Sequence, residues 1–137
     1  DLYTYKGAVF ENVISDILNK NGVKLYYYHK DSGLEIDFVS VHEGKVCLIE
    51  VKAHTGNTKS TKTVMGDKKN QDVDLCYKLG DYNVGFMNGI LTLPMYMAPL
   101  VAAELSDERS RSRSRCEAVR FCRRRFSENN PIHSSLL

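Results

Sequence analysis

The stretch from Leu34 to Lys52 constrains this chain more than any other. Two apolar-rich runs, Leu34 to His42 and Lys45 to Lys52, flank the short polar break Glu43-Gly44. That pattern predicts strand, turn, strand. With Glu43 and Gly44 as the loop, the register follows by counting outward. His42 faces Lys45, Val41 faces Val46, Asp37 faces Glu50, and Glu35 faces Lys52. Side chains alternate along a strand, so these four charged residues are expected on one face. Carboxylates placed opposite each other repel, so the Asp37–Glu50 pair calls for a cation. Ile36, Phe38, Cys47, Ile49 and Val51 fall on the other face. Val39, Val41, Val46 and Leu48 share the charged one. With both faces largely apolar, these are expected to be central strands covered on two sides.

The rest of the chain supplies what covers them. Val9, Phe10, Val13, Ile14, Ile17 and Leu18 form one broad stripe at helical period, and Asn21-Gly22 is a fitting stop. The spacing predicts a helix over 5–21, with Glu11 at the border of its apolar stripe. Lys24 to His29 is aromatic and reads as a strand, and Tyr26, Tyr27 and Tyr28 read as sheet packing rather than base-stacking platforms. Ala53 to Asn70 reads as a loop with a short helix near Lys59 to Met65. Val73 to Leu79 alternates as a half-buried strand. Gly80 to Gly89 reads as a turn-rich connection, and Ile90 to Leu93 as a short strand stopped by Pro94. Met95 to Leu105 reads as a closing helix that Pro99 would interrupt.

With 137 residues, the chain has room for one domain with a real core. The start at Asp1 rather than Met leads one to expect a fragment or a trimmed chain. No stretch reaches the roughly 18 apolar residues of a membrane span. The four cysteines, Cys47, Cys76, Cys116 and Cys122, form no CxxC pair. That argues against a structural zinc site and for a reducing cytoplasm. Cys47, inside an apolar strand, is expected to be a buried thiol.

The net charge of +2 conceals a division. Residues 1–108 hold 11 Lys, no Arg and 15 Asp or Glu, a net −4, while residues 109–137 hold 8 Arg, no Lys and 2 Glu, a net +6. The Ser-Arg alternation after Ser106 is low in complexity and predicts disorder. A nucleic-acid-binding arm is one reading of this tail. The abrupt change of basic residue favours the other, a segment foreign to the fold. The domain is therefore drawn over 1–105 and the tail over 106–137.

Asp37 and Glu50 converging on one point would make an oxygen site for Mg²⁺, which takes one or two carboxylates and fills its shell with waters and phosphate oxygens. Lys52, two residues on, would sit beside the ion, where it could orient or deprotonate an attacking water. Glu11 could add a bound water or complete a second metal site. This is equipment for metal-assisted phosphodiester hydrolysis. Spacing alone leaves a structural reading open, in which Glu35 and Lys52 form a cross-strand ion pair worth about 0.2–1 kcal/mol.

The order helix-Glu11, strand, Asp37, turn, Glu50-Val51-Lys52 resembles the PD-(D/E)XK restriction-endonuclease-like superfamily. Lys6 to Asn12, Ser32 to Phe38, Ile49 to Lys52 and Gly89 to Tyr96 further resemble the C-terminal domain of unknown function carried by bacterial and archaeal AAA-class ATP-binding proteins. The resemblance covers roughly residues 5–100. Asp37 stands in a Glu-Ile-Asp triplet, without the Pro of the superfamily's name. The resemblance implies Asp37 and Glu50 as Mg²⁺ ligands, Lys52 as the catalytic lysine and Glu11 as the helix acid. It also implies an ATPase domain upstream. Gly56-Asn57-Thr58-Lys59-Ser60 lacks the Gly directly before Lys that a phosphate-binding loop carries, so it reads as a plain loop.

These readings predict an α/β fold with a restriction-endonuclease-like core. Its mixed central sheet has about four strands, with an N-terminal helix packed on it. Two functions follow from that fold. One is a Mg²⁺-dependent nuclease acting on nucleic acid, DNA favoured. The other is a non-catalytic nuclease-fold module that binds DNA or a protein partner for an attached ATPase. Lys59, Lys62, Lys68 and Lys69 could line a groove beside the site in either case.

Overall fold

Glu43 and Gly44 both adopt positive φ, 51° and 81°. That is the backbone of a two-residue hairpin turn whose twist matches its flanking strands. Around it the computed structural model, which describes residues 2–54, 58–70 and 72–106, pairs β2 (Glu35–His42) with β3 (Lys45–Lys52) in antiparallel register. The pairs run from His42↔Lys45 to Phe38↔Ile49. The counted register holds over this span.

β3 continues through α2 (Lys59–Gly66) to β4 (Val73–Gly80), which lies parallel to it. β6 (Ile90–Pro94) is parallel to β4, and β5 (Gly85–Met87) closes the edge antiparallel to β6. β1 (Tyr26–His29) forms the other edge against β2. The sheet has six strands in the order β1-β2-β3-β4-β6-β5, where about four were expected. Five of the six match segments read as strands from the sequence, and the sixth, β5, lies inside the connection expected to be turns. Its signal was Asn88-Gly89, both at positive φ (52° and 76°), a strong two-residue hairpin signature.

Two apolar layers sandwich the sheet. On one face, α1 (Leu2–Lys20) and α3 (Ala98–Leu105) bury Ile14, Leu18, Val101 and Leu105 against Cys47, Ile49, Val51, Tyr77, Leu79 and Leu93. On the other, Val64 of α2 joins Tyr28, Ile36, Val39, Val41, Val46, Leu48, Val73 and Cys76. β4 is therefore a central strand, not a half-buried one. α1 buries only part of its expected stripe. Phe10, Ile14, Ile17 and Leu18 face the core, while Val9 and Val13 stay exposed. Gly22 takes φ 78° and Val23 N–H reaches back to Leu18 O, the left-handed stop that Asn21-Gly22 foretold. Pro99 does not interrupt the closing helix. A 3₁₀ turn (Met95–Met97) precedes α3, and Pro99 occupies its first turn, where no helical N–H partner is lost. Cys47 is buried and forms no disulfide. The Arg/Ser tail lies outside the described residues apart from Ser106.

Beyond Phe38, β2 departs from the counted pattern. Against β1 the pairs are Tyr26↔Val39 and Tyr28↔Ile36. Two steps on β1 thus span three on β2, so a β-bulge sits at Asp37 and Phe38. An extra residue reverses side-chain alternation and re-aims its neighbours. Ile36 accordingly packs with Val39 in the α2-side core, not with Phe38.

Candidate functional site

The bulge frees Asp37 from strict alternation at the point where the β2–β3 pairing ends. Its carboxylate then takes a backbone's place: Val51 N–H donates to Asp37 Oδ2 at 2.7 Å. Glu50 points to the α2 side of β3 and is almost wholly buried, at 2% exposure. Two groups hold it. Thr61 Oγ1 of α2, itself fully buried, donates to Glu50 Oε1 at 2.6 Å. Lys52 Nζ lies 2.8 Å from Glu50 Oε2 and 3.6 Å from Asp37 Oδ2. Lysine, aspartate and glutamate thus meet at one point.

The expected rivalry between Glu35 and a site partner for Lys52 is resolved by the bulge. Glu35 does not meet Lys52; it accepts a hydrogen bond from Tyr27 Oη on β1. The expectation that all four charged residues share a face is corrected at Glu35, for which the bulge is the reason.

The electrostatics follow from burial and contact. Desolvation pushes the Asp37 carboxyl above its ordinary pKa. The nearby Glu50 charge adds to this, and the Val51 N–H and Lys52 oppose it. Burial works against the Lys52 ammonium, but its hydrogen bond to Glu50 and the Asp37 charge outweigh that. Lys52 is held above its usual pKa. Glu11, half-buried on α1, is also raised, first by burial and then by the field of Asp37, with Lys52 opposing. Glu11 therefore feels the cluster from across the helix–sheet seam. Tyr27 is pushed up to about 12, chiefly because its hydroxyl donates to Glu35.

Lys52 also lines a cleft of about 360 Å³ at the carboxyl ends of β3, β4 and β6, together with Phe10, Gly80, Tyr82 and Tyr96. The carboxyl ends of parallel strands are where open α/β sheets commonly take ligands. Gly80 is required here. A Cβ at this position would lie 2.6 Å from Lys52 O and 2.6 Å from the Tyr82 ring. The close approach lets that ring pack on the strand ends beside Lys52.

Among the described residues, no three His, Cys, Asp or Glu side chains come close enough together to hold a metal ion. Asp37 and Glu50 form a two-carboxylate set. An ion there would draw its other ligands from water, backbone carbonyls or substrate. The donors are hard oxygens with a cation already drawn between them, and that chemistry fits Mg²⁺.

Three contributors escaped the sequence reading. Thr61 had no signal, since a threonine in a short helix is unremarkable until the helix docks. Lys78 stands beside Glu50 in the parallel β3–β4 register, a neighbour that requires knowing the strand order. Tyr82 depends on the same ordering. Of the lysines expected to line a groove, Lys62 does so, in a second cleft of about 400 Å³.

No helix among the described residues is long and apolar enough to cross a membrane. The family model for a domain of unknown function, DUF4143, matches residues 6–97, and the chain belongs to that family. No curated protein and no solved structure matches it.

Proposed function

We propose that this member of the DUF4143 family is a nuclease-type domain with a restriction-endonuclease-like core. It hydrolyses phosphodiester bonds of nucleic acid, DNA favoured, with the help of Mg²⁺. In this reading it works in the cytoplasm and serves an ATP-binding part of a longer chain. The observation that carries the reading is the Lys52 ammonium lodged between the Asp37 and Glu50 carboxylates, at 3.6 and 2.8 Å, at the edge of a cleft.

Asp37 and Glu50 would hold the ion, which when bound supplies Lewis-acid polarisation of a phosphoryl oxygen. Thr61 keeps one Glu50 oxygen occupied, so that the other is presented toward Asp37 and Lys52. Lys52 reaches both carboxylates, at 2.8 and 3.6 Å, and so would lie beside the ion. Its role is to donate: it orients the attacking water and offsets charge gathering on the phosphoryl oxygens, while the water's proton would pass to the Glu11 carboxylate and on to solvent. Glu11 faces the same field with a raised pKa and orients water beside the pair.

The same contacts favour a second reading. Lys52, Asp37, Glu50 and Thr61 satisfy one another without any further ligand, as they would in a non-catalytic module that binds DNA or a protein partner. Cleavage of labelled DNA and RNA in Mg²⁺ or Mn²⁺ decides between the two. Wild-type protein is expected to cleave, and Asp37→Ala and Lys52→Ala to slow cleavage at least about 100-fold. Absence of cleavage across a metal titration, or equal rates in the variants, removes the catalytic reading and leaves the module.

A further inference from the structure

Two clefts are linked by a contact between Lys78, which lines one, and Tyr82, which lines the other. The first, about 360 Å³, holds Lys52, Tyr82 and Tyr96. The second, about 400 Å³, is lined by Lys62, Lys78 and apolar side chains including Ile90. Between them Lys78 Nζ stands 4.6 Å from the centre of the Tyr82 ring. Each volume lies in the roughly 300–1,000 Å³ range of small-ligand pockets. One cleft therefore offers aromatic rings beside Lys52, and the other offers the exposed Lys62 ammonium, with Lys78 buried in its wall.

The aromatic side is built, not incidental. Tyr82 is seated by the missing Cβ of Gly80, by the Lys78 cation and by its hydroxyl, which donates to His54 O at 3.3 Å. Tyr96 follows β6 in the 3₁₀ turn and leaves its ring 81% exposed at the same cleft. The basic side lies next to the chemistry. Lys78 pairs with Glu50 in the β3–β4 register, one strand spacing of about 4.8 Å away.

We propose that the paired clefts bind single-stranded nucleic acid, an inference that rests on the phosphodiesterase reading of the site. Phosphates lie toward Lys62 and Lys78, and an unpaired base stacks at Tyr82 and Tyr96 beside Lys52. Within residues 1–108, which sum to a net −4, Lys62 and Lys78 give the second cleft a local positive charge that favours phosphate. The aromatic rings select an unpaired strand, because a duplex hides the faces of its bases in its own stack and a single strand presents them. Asp81, which also lines the aromatic cleft, repels a phosphate there. This puts the backbone on the lysine side and the base on the tyrosine side.

The test is fluorescence anisotropy of the full chain with a labelled oligothymidylate and with a blunt duplex. It is run in Ca²⁺, which takes the same oxygen ligands, over a salt series. Tyr96 and Lys62 are exposed, so their variants are expected to fold, and thermal melts check this. The single strand is expected to bind more tightly than the duplex. Tyr96→Ala is expected to lose about 5- to 150-fold in affinity, with Tyr96→Phe retaining it. Lys62→Ala is expected to reduce the salt slope by about 0.7. No single-strand binding by wild type, equal or tighter duplex binding, or unchanged affinity in Tyr96→Ala overturns the inference. Cleavage is scored separately. Binding with this pattern but no hydrolysis rejects the nuclease reading and keeps the binding site. Hydrolysis with an indifferent Tyr96→Ala does the reverse.

Discussion

The two ends of the β2–β3 hairpin are built from the same two strands and behave in opposite ways. At the turn end, backbone pairs with backbone from His42↔Lys45 to Phe38↔Ile49, and Val41, Val46 and Leu48 are buried. At the open end that pairing stops at Phe38↔Ile49, where β2 carries a bulge against β1. An aspartate side chain accepts from Val51, and a lysine bridges two carboxylates. The turn end is held by apolar burial, which is non-directional and tolerant of chemistry. The open end is held by a few directional contacts between charges partly removed from water, where each group depends on the others.

That contrast predicts different failures. Leu48→Ala, at the turn end, is expected to cost about 2–5 kcal/mol in urea denaturation while leaving divalent-ion binding by the folded protein intact. A loss of ion binding there would mean the two ends are not separable. Lys52→Met is expected to cost about 1–3 kcal/mol, since it strands Glu50 in the interior. The lysine side chain is 26% exposed, so solvent screens part of the pair's attraction. Adding Glu50→Gln to it should recover much of that loss, and a simple sum of the two single effects would deny the coupling.

Thr61→Val keeps the shape and removes one hydrogen bond to a carboxylate. It is expected to cost about 1–2 kcal/mol and to weaken Mn²⁺ binding, read by calorimetry. Unchanged Mn²⁺ affinity would make Thr61 a matter of packing alone. The smallest effect is spectroscopic. The Tyr27 phenol is expected to ionise near 12, seen as the difference between ultraviolet titrations of wild type and Tyr27→Phe. In Glu35→Gln it should return toward about 10. The native state holds this proton more tightly than the unfolded chain does. The contact's contribution is therefore whole below about pH 10 and is lost as pH rises toward 12. A Tyr27 that titrates normally would mean Glu35 is not its acceptor.

Much of the fold was legible because it rests on local pattern. The helical stripe of α1, the left-handed stop at Gly22, the Glu43-Gly44 turn and the register from His42 to Phe38 all follow from residue type and spacing. β5 was legible too, in Asn88-Gly89, but its three residues were hidden in a run rich in turn formers. At the site, the meeting of Asp37 with Glu50 could be counted from the turn. The release of Glu35 to Tyr27 could not. A bulge is a compromise between β1 and β3 over the same strand, and no local run of residues encodes it.

The sequence by itself determined which residues could form the site: acids at 37 and 50, a lysine at 52, and a turn that brings their strands together. Tertiary structure alone decided their partners. The bulge turned Glu35 away from Lys52, the docking of α2 brought Thr61 to Glu50, and the parallel placement of β4 set Lys78 and Tyr82 beside them. The reason is range. Alternation and turn geometry act over a few residues and can be counted, whereas the partners of a buried charge come from whichever elements pack against it.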